Sequence, residues 1–295
     1  MTPPPAPHGI EVVDLHPTFG SEVRGLDVNA ETDDETTRFL QDLFDDRGLL
    51  LFRQPDIELD AQRRLSLLLI GQDVPKEIPE QLRRPYFVSN KEEGGGAPFG
   101  RLLFHSDGMW QEEPFQLLSL YAIELVPPIA PTAFASTTSA WETLPADLRA
   151  RIDGLHVEHG HDATYERGGT DDDVLVSTFA EEESTITPIG HHHLRTGRTM
   201  LYASQMMTKR IVELPPDEGE ALLDEVFTHL YSPQNTLEIA WSEGDLVLWD
   251  NIALQHARPN VTVEGPVRTL RKVFAPPPTI TASTHRPEQR TRAAR

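Results

Sequence analysis

Arg101-Leu102-Leu103-Phe104-His105-Ser106-Asp107 is an apolar run that ends in a His-x-Asp. Residues two apart on a β-strand share a face, so His105 and Asp107 would set an imidazole and a carboxylate on one side, near a common point. That is half of a metal site. Far downstream, Gly244-Asp245-Leu246-Val247-Leu248-Trp249-Asp250-Asn251 leads to His256, with Arg268 beyond it. If His256 folds back onto the first pair, two histidines and one carboxylate occupy one face of an octahedral ion, the arrangement of non-haem Fe(II) oxygenase sites.

Outward from that stretch the pattern is mostly of short strands. Glu11 to Val13, Ser21 to Arg24, Gly48 to Phe52, Tyr86 to Val88, Leu117 to Leu125, Thr132 to Ala135, Met200 to Ala203, Leu237 to Ile239, Leu246 to Trp249 and Arg268 to Phe274 all read as strands. Helical spacing recurs in three places. One helix starts at Thr32-Asp33-Asp34-Glu35 and stops at Gly48, a second carries Leu65, Leu68 and Leu69, and a third runs from Asp217 to Leu230. Many strands with a few helices predict a mainly β fold with helical decoration, a double-stranded β-helix or jelly roll. A metal bridging opposite strands of one such fold explains ligand segments half a chain apart, so residues 10–275 are expected to form a single domain. Residues 1–9 read as a Pro-rich, disordered lead-in and residues 276–295 as a disordered tail. The acidic stretch 163–187, long and without period, is expected to be a lid or a disordered insertion.

The 295 residues carry 47 acidic and 26 basic side chains, a formal net charge of -21, which gives no support for attraction to nucleic acid or to an anionic membrane. The chain has no cysteine, which excludes disulfides, thiolate ligands and a cysteine nucleophile. No apolar segment reaches membrane-spanning length, and Met1-Thr2-Pro3-Pro4-Pro5 lacks the basic and apolar regions of a secretory signal. The cytoplasm is the expected compartment, and a homo-oligomer is compatible with the sequence.

A His-x-Asp alone is weak evidence, as the near-misses Asp14-Leu15-His16 and His161-Asp162 show. Two other conspicuous motifs have plainer readings. Gly94-Gly95-Gly96 is followed by no Lys-Ser pair and no helix start, so it is a loop rather than a phosphate cradle. Neighbouring residues on a strand point to opposite faces, so His191-His192-His193 reads as the flank of a hairpin turning at Arg195 to Arg198, not as a second metal site.

Specificity comes from order: His105-x-Asp107, Thr132, Trp249-Asp250-Asn251, His256, Arg268. In this order, and in Gly20 to Asp27, Gly48 to Arg53 and Thr208 to Val212, the chain resembles the taurine dioxygenase and chlorophenoxyacetate dioxygenase family over about residues 10 to 275. The resemblance implies an Fe(II)- and 2-oxoglutarate-dependent oxygenase that consumes O2, releases succinate and CO2, and hydroxylates a C–H bond of a small organic substrate. It implies that His105, Asp107 and His256 bind iron, while Thr132 and Arg268 hold the distal carboxylate of 2-oxoglutarate; the fixed fork of an arginine matches a carboxylate. Arg101, Trp110, Met207, Arg271 and Lys272 are expected at the substrate, although Trp110 and Met207 would serve equally in a core.

The chain also departs from the pattern. Phe104 stands for the usual Trp, Ile252 for Arg, Ile129-Ala130-Pro131 for Gly-Gly-Asp, and Lys272 for the second arginine of an Arg-x-x-x-Arg pair. Residues 71 to 80 hold no histidine of the kind taurine dioxygenase uses on its substrate, so taurine is not the expected substrate. Asp107 disfavours halogenation, since halogenating relatives lack that carboxylate. A non-catalytic jelly roll with a structural metal, or a metal-dependent hydrolase, needs the triad but has no use for the Arg268 and Thr132 clamp.

Overall fold

Leu49–Arg53 is apolar on both faces, and the computed structural model shows why: one face of this strand meets a second sheet and the other meets helices. The structure describes residues 6–74, 84–160, 173–178, 183–276 and 288–291. Seven strands form the large sheet in the order Glu11–Asp14, Ser21–Arg24, Leu49–Arg53, Asp245–Asp250, Leu117–Leu125, Arg268–Ala275, Tyr86–Ser89. All pair antiparallel except Ser21–Arg24 with Leu49–Arg53. Facing it is an antiparallel four-stranded sheet, Thr236–Ile239, Thr132–Ser136, Leu254–Val261, Gly100–His105. Between them lie Leu49, Leu51, Leu118, Phe134, Val247 and Trp249. This is the expected jelly roll.

The opposite face of the large sheet, with Leu50, Phe52, Leu246 and Leu248, is covered by helices Asp34–Arg47 and Leu59–Leu69. The first helix is defined by its caps. The Asp33 carboxylate accepts from the Thr36 N–H at 2.8 Å, and Gly48 closes the helix in the left-handed region at φ 67°. The Gly48 carbonyl then accepts the Asp250 N–H at 2.8 Å, which ties the helix end to the segment preceding His256. Helix Pro216–Leu230 buries Leu222, Leu223, Val226, Phe227 and Leu230 against Val157, Ile189 and Leu201. Among the described residues no helix is long and apolar enough to cross a membrane.

Two expectations for irregular segments change. Within 163–187, Leu175–Thr178 and Ser184–Pro188 are strands, the latter paired with His156–Gly160; residues 163–172 and 179–182 lie outside the described residues. Within the expected disordered tail, Glu288–Thr291 is a strand paired with Leu175–Thr178. A lone strand whose partner is far away in sequence leaves no apolar period to read. Residues 1–5, 277–287 and 292–295 lie outside the described residues, as do 75–80 of the segment lacking the taurine-binding histidine.

Val174 bridges Arg101, so this added ribbon borders the strand that carries His105. Gly100 makes the approach possible: its φ is +78°, and a Cβ there would stand 2.9 Å from the Asp173 carbonyl oxygen. Gly100→Ala is expected to lower stability by about 1 to 3 kcal/mol through strained backbone, measured as a shift of the urea midpoint.

Candidate active site

His105 and His256 are direct partners in the antiparallel pairing of Gly100–His105 with Leu254–Val261, and their ring centroids lie 4.2 Å apart. Strand pairing therefore juxtaposes the two imidazoles. Asp107 arrives differently from the expectation, because the strand ends at His105 and alternation no longer aims its side chain. It is placed by Asn251, whose Oδ1 accepts the Asp107 N–H at 3.0 Å and whose Nδ2 donates to the Asp107 carbonyl at 2.8 Å and to that of Phe115 at 2.9 Å. Ligand atoms of His105, Asp107 and His256 all lie within 4.8 Å of one another, the one such group among the described residues.

Asp107 Oδ1 is the oxygen turned to the histidines, 3.3 Å from His105 Nε2 and 3.8 Å from His256 Nε2, while Oδ2 accepts from the Lys272 ammonium. Burial works to raise the Asp107 carboxyl, but the Lys272 ammonium beside it outweighs this and holds the group well below the ordinary carboxylate range. Burial, reinforced by His105, pushes His256 well below the ordinary imidazole range. His105 Nδ1 donates to the Leu103 carbonyl at 2.8 Å, which leaves the Nε2 lone pair facing Asp107. Two neutral imidazole nitrogens and an ionised carboxylate oxygen are a donor set that fits a divalent ion with open positions.

The turn between Asn251 and His256 is built on Asp250. Its Oδ1 accepts the N–H groups of Ile252 and Ala253 at 3.0 Å each, and its carboxylate also meets Arg195 and His193 Nε2, the latter at 3.0 Å. His193 Nδ1 accepts from the Arg195 and Thr196 N–H groups, so the proton sits on Nε2 and points at Asp250. The histidine run is thus a hairpin flank: Gly190–His192 pairs with Thr199–Leu201, His191 stacks on Tyr202, and only His193 turns inward. Burial works to raise Asp250, but His193 and Arg195 hold it below its ordinary value of 3.8, so this contribution to stability is present above that value and is lost as pH falls through the lowered one. His193→Gln is expected to cost about 1 to 3 kcal/mol at neutral pH. In thermal unfolding the deficit should shrink below pH 3.8, and a deficit independent of pH would mean that the pair contributes nothing.

Thr132 and Arg268 do come together. Arg268 Nη2 donates to Thr132 Oγ1 at 3.1 Å, its Nε donates to the Ala130 carbonyl at 3.2 Å, and Trp241 Nε1 donates to the same threonine oxygen at 2.9 Å. Arg268 is buried, meets no carboxylate among the described residues, and is lowered to about 9 by burial and by Arg258. Neither Trp241 nor Arg258 stands out in the sequence. For Arg258 a signal exists, since it lies two residues past His256 and so on the same strand face.

The expected substrate residues divide. Trp110 and Met207 join a cluster with Leu103, Met109, Val174 and Met206, against which Ile252 also packs. Arg101 lies along the edge of the His105 strand, its Nε 3.5 Å from Asp173. Lys272 faces the metal ligand rather than open pocket. Arg271 is not in the site: alternation turns it to the helix side, where its Nε donates to Gln62 and its Nη2 to the Ile57 carbonyl, both at 2.7 Å.

The family model described as Taurine catabolism dioxygenase TauD, TfdA family matches residues 11–274. The chain is 25% identical over 264 residues to an alpha-ketoglutarate-dependent 2,4-dichlorophenoxyacetate dioxygenase of Cupriavidus pinatubonensis, covering 82% of this chain and 89% of that protein. It is 31% identical over 167 residues to pentalenolactone F synthase of Streptomyces arenae, covering 52% and 55%. The crystal structure of AAD-2 in complex with Mn(II) and N-oxalylglycine shares the fold with a TM-score of 0.72, at 24% identity, over 90% of this chain and 96% of that one.

Proposed function

Because the chain belongs to the taurine catabolism dioxygenase TauD, TfdA family, we propose that His105, Asp107 and His256 hold its Fe(II), while Arg268 and Thr132 take the distal carboxylate of 2-oxoglutarate. The protein is an alpha-ketoglutarate-dependent dioxygenase, an oxidoreductase that uses Fe(II), 2-oxoglutarate and O2. Bound iron supplies the electron transfer that couples decarboxylation of 2-oxoglutarate, to succinate and CO2, with placing one oxygen atom of O2 in a substrate C–H bond. The chain's own groups bind, orient and keep the site dry. Arg268 offers a fork to the far end of the cosubstrate, Asn251 and Lys272 fix the two sides of Asp107, and Trp249 packs on His256 at 5.0 Å between ring centroids.

The observation that carries this assignment is the convergence of the three ligand atoms within 4.8 Å, in a chain whose buried Arg268 has no carboxylate partner among the described residues. A hydrolase or a structural metal has no use for that guanidinium.

The reading extends to substrate class. Lys272 is bonded to Asp107, Arg271 faces away and Arg101 lies against Asp173, so the cations expected at the substrate are engaged elsewhere. The cluster packed around Leu103 of the His105 strand is apolar and holds four of the chain's five methionines, which fill irregular space. These features support hydroxylation of a larger, partly apolar small molecule. Succinate release should be compared across short sulfonates, aryloxyacetates, acyl amino acids and free amino acids. Stimulation by the larger, partly apolar compounds is expected, and efficient turnover of taurine would sink this part of the reading.

A further inference from the structure

Arg258 is as deeply buried as Arg268, each 5% exposed, and neither has a carboxylate partner among the described residues. Two guanidiniums withdrawn from water without an anion are costly to the fold. Their relative position follows from the sheet. Leu254–Val261 pairs with Thr132–Ser136 through His256↔Phe134 and Ala257↔Ala133, a register that, carried one residue on, sets Arg258 opposite Thr132. In an antiparallel pair such neighbours share a face. Thr132 Oγ1 is already the acceptor for Arg268 Nη2. The two arginines are close enough that the charge of Arg258 is felt at Arg268.

Some of the Arg258 donors are used. Nη1 donates to the Ala97 carbonyl at 2.8 Å, and Nη2 to those of Phe99 at 3.1 Å and Gly100 at 2.8 Å. These bonds brace the loop that enters the His105 strand. The Nε atom is buried with no acceptor. A purely bracing role explains the three carbonyl bonds but not the orphan Nε, nor a second uncompensated charge beside Arg268.

We propose that Arg258 is a second anion-binding residue of the cosubstrate pocket, sharing the distal carboxylate of 2-oxoglutarate with Arg268 and coupling cosubstrate binding to the Ala97–Gly100 loop. The inference rests on the reading that Arg268 and Thr132 form that pocket. A carboxylate has acceptor positions enough for two guanidiniums and a hydroxyl, and its negative charge compensates theirs.

The test uses the full chain loaded with Co(II) under anaerobic conditions and two ligands titrated by calorimetry: 2-oxoglutarate, and 2-oxovalerate, which has a methyl group in place of the distal carboxylate. Arg258→Met is expected to weaken 2-oxoglutarate by at least about tenfold, the effect of removing one partner of a buried charge pair, while 2-oxovalerate changes by less than about twofold. Equal weakening of both ligands, or of neither, overturns the proposal and leaves Arg258 as a brace for the loop. If Arg258→Met does not fold, as judged by thermal unfolding, Arg258→Lys is read by the same criterion, since it keeps a charge but loses the fork. Arg268→Met is run in parallel. If it spares 2-oxoglutarate while Arg258→Met weakens it selectively, the Arg268 assignment fails and that of Arg258 stands; the converse result keeps Arg268 in the clamp and removes Arg258 from it.

Discussion

Asp107→Ala is expected to abolish succinate release and the weak visible charge-transfer band that develops when the anaerobic protein receives Fe(II) and 2-oxoglutarate. The site loses its one anionic ligand atom among the described residues, and the Lys272 ammonium, now unpaired, faces the incoming cation. Loss of an outer partner typically lowers metal affinity by about 10- to 100-fold, and removing the ligand itself should exceed that. Co(II) titration followed by its own absorption checks the affinity apart from turnover. Wild-type affinity in Asp107→Ala would show that the ion sits elsewhere.

Arg268→Ala should raise the KM for 2-oxoglutarate by about 30-fold or more, corresponding to roughly 2 to 5 kcal/mol for one partner of a desolvated, hydrogen-bonded pair. With metal affinity unchanged, the loss belongs to the cosubstrate's far end. Arg271 is excluded from that role, since its guanidinium is held by Gln62 and Ile57 on the helix side of the sheet. Replacing it should lower the unfolding midpoint and leave KM alone. An unaltered KM in Arg268→Ala would remove Arg268 from the clamp.

The contrast between these two arginines shows what can be read from the chain. His105, Asp107 and His256 are legible because few side chains can ligate a metal and their order is distinctive. The strands are legible because Leu49–Arg53 and Asp245–Asp250 are long enough, and apolar enough, to be buried on both faces. Arg271 and Lys272 are neighbours in sequence and invite a shared role, yet the period of two that sorts the histidine run separates them and puts Lys272 with Arg268. Arg258 becomes legible only when the same period is carried beyond His256. The clamp of Asn251 on Asp107 is out of reach, because no local pattern tells a side-chain amide which distant backbone it will bond. Glu288–Thr291 is hidden for a related reason: its partner strand lies in a segment without period.

Asp107 and Asn251 are 144 positions apart, and their bond closes only when Gly100–His105 has found Leu254–Val261. Closing so long a loop is entropically costly before other contacts reward it, and pairings of this kind form slowly. The metal therefore arrives at a finished scaffold and cannot serve as a nucleus for it. In refolding with Co(II) present from the start, the protein-bound cobalt spectrum is expected to lag or match the tertiary fluorescence change, and a cobalt signal ahead of it would contradict this order. During synthesis from the N-terminus, His105 and Asp107 leave the ribosome long before His256 exists. A nascent chain that has not yet reached His256 holds two of the three ligands and no seat for iron, so loading waits until His256 has been made and paired.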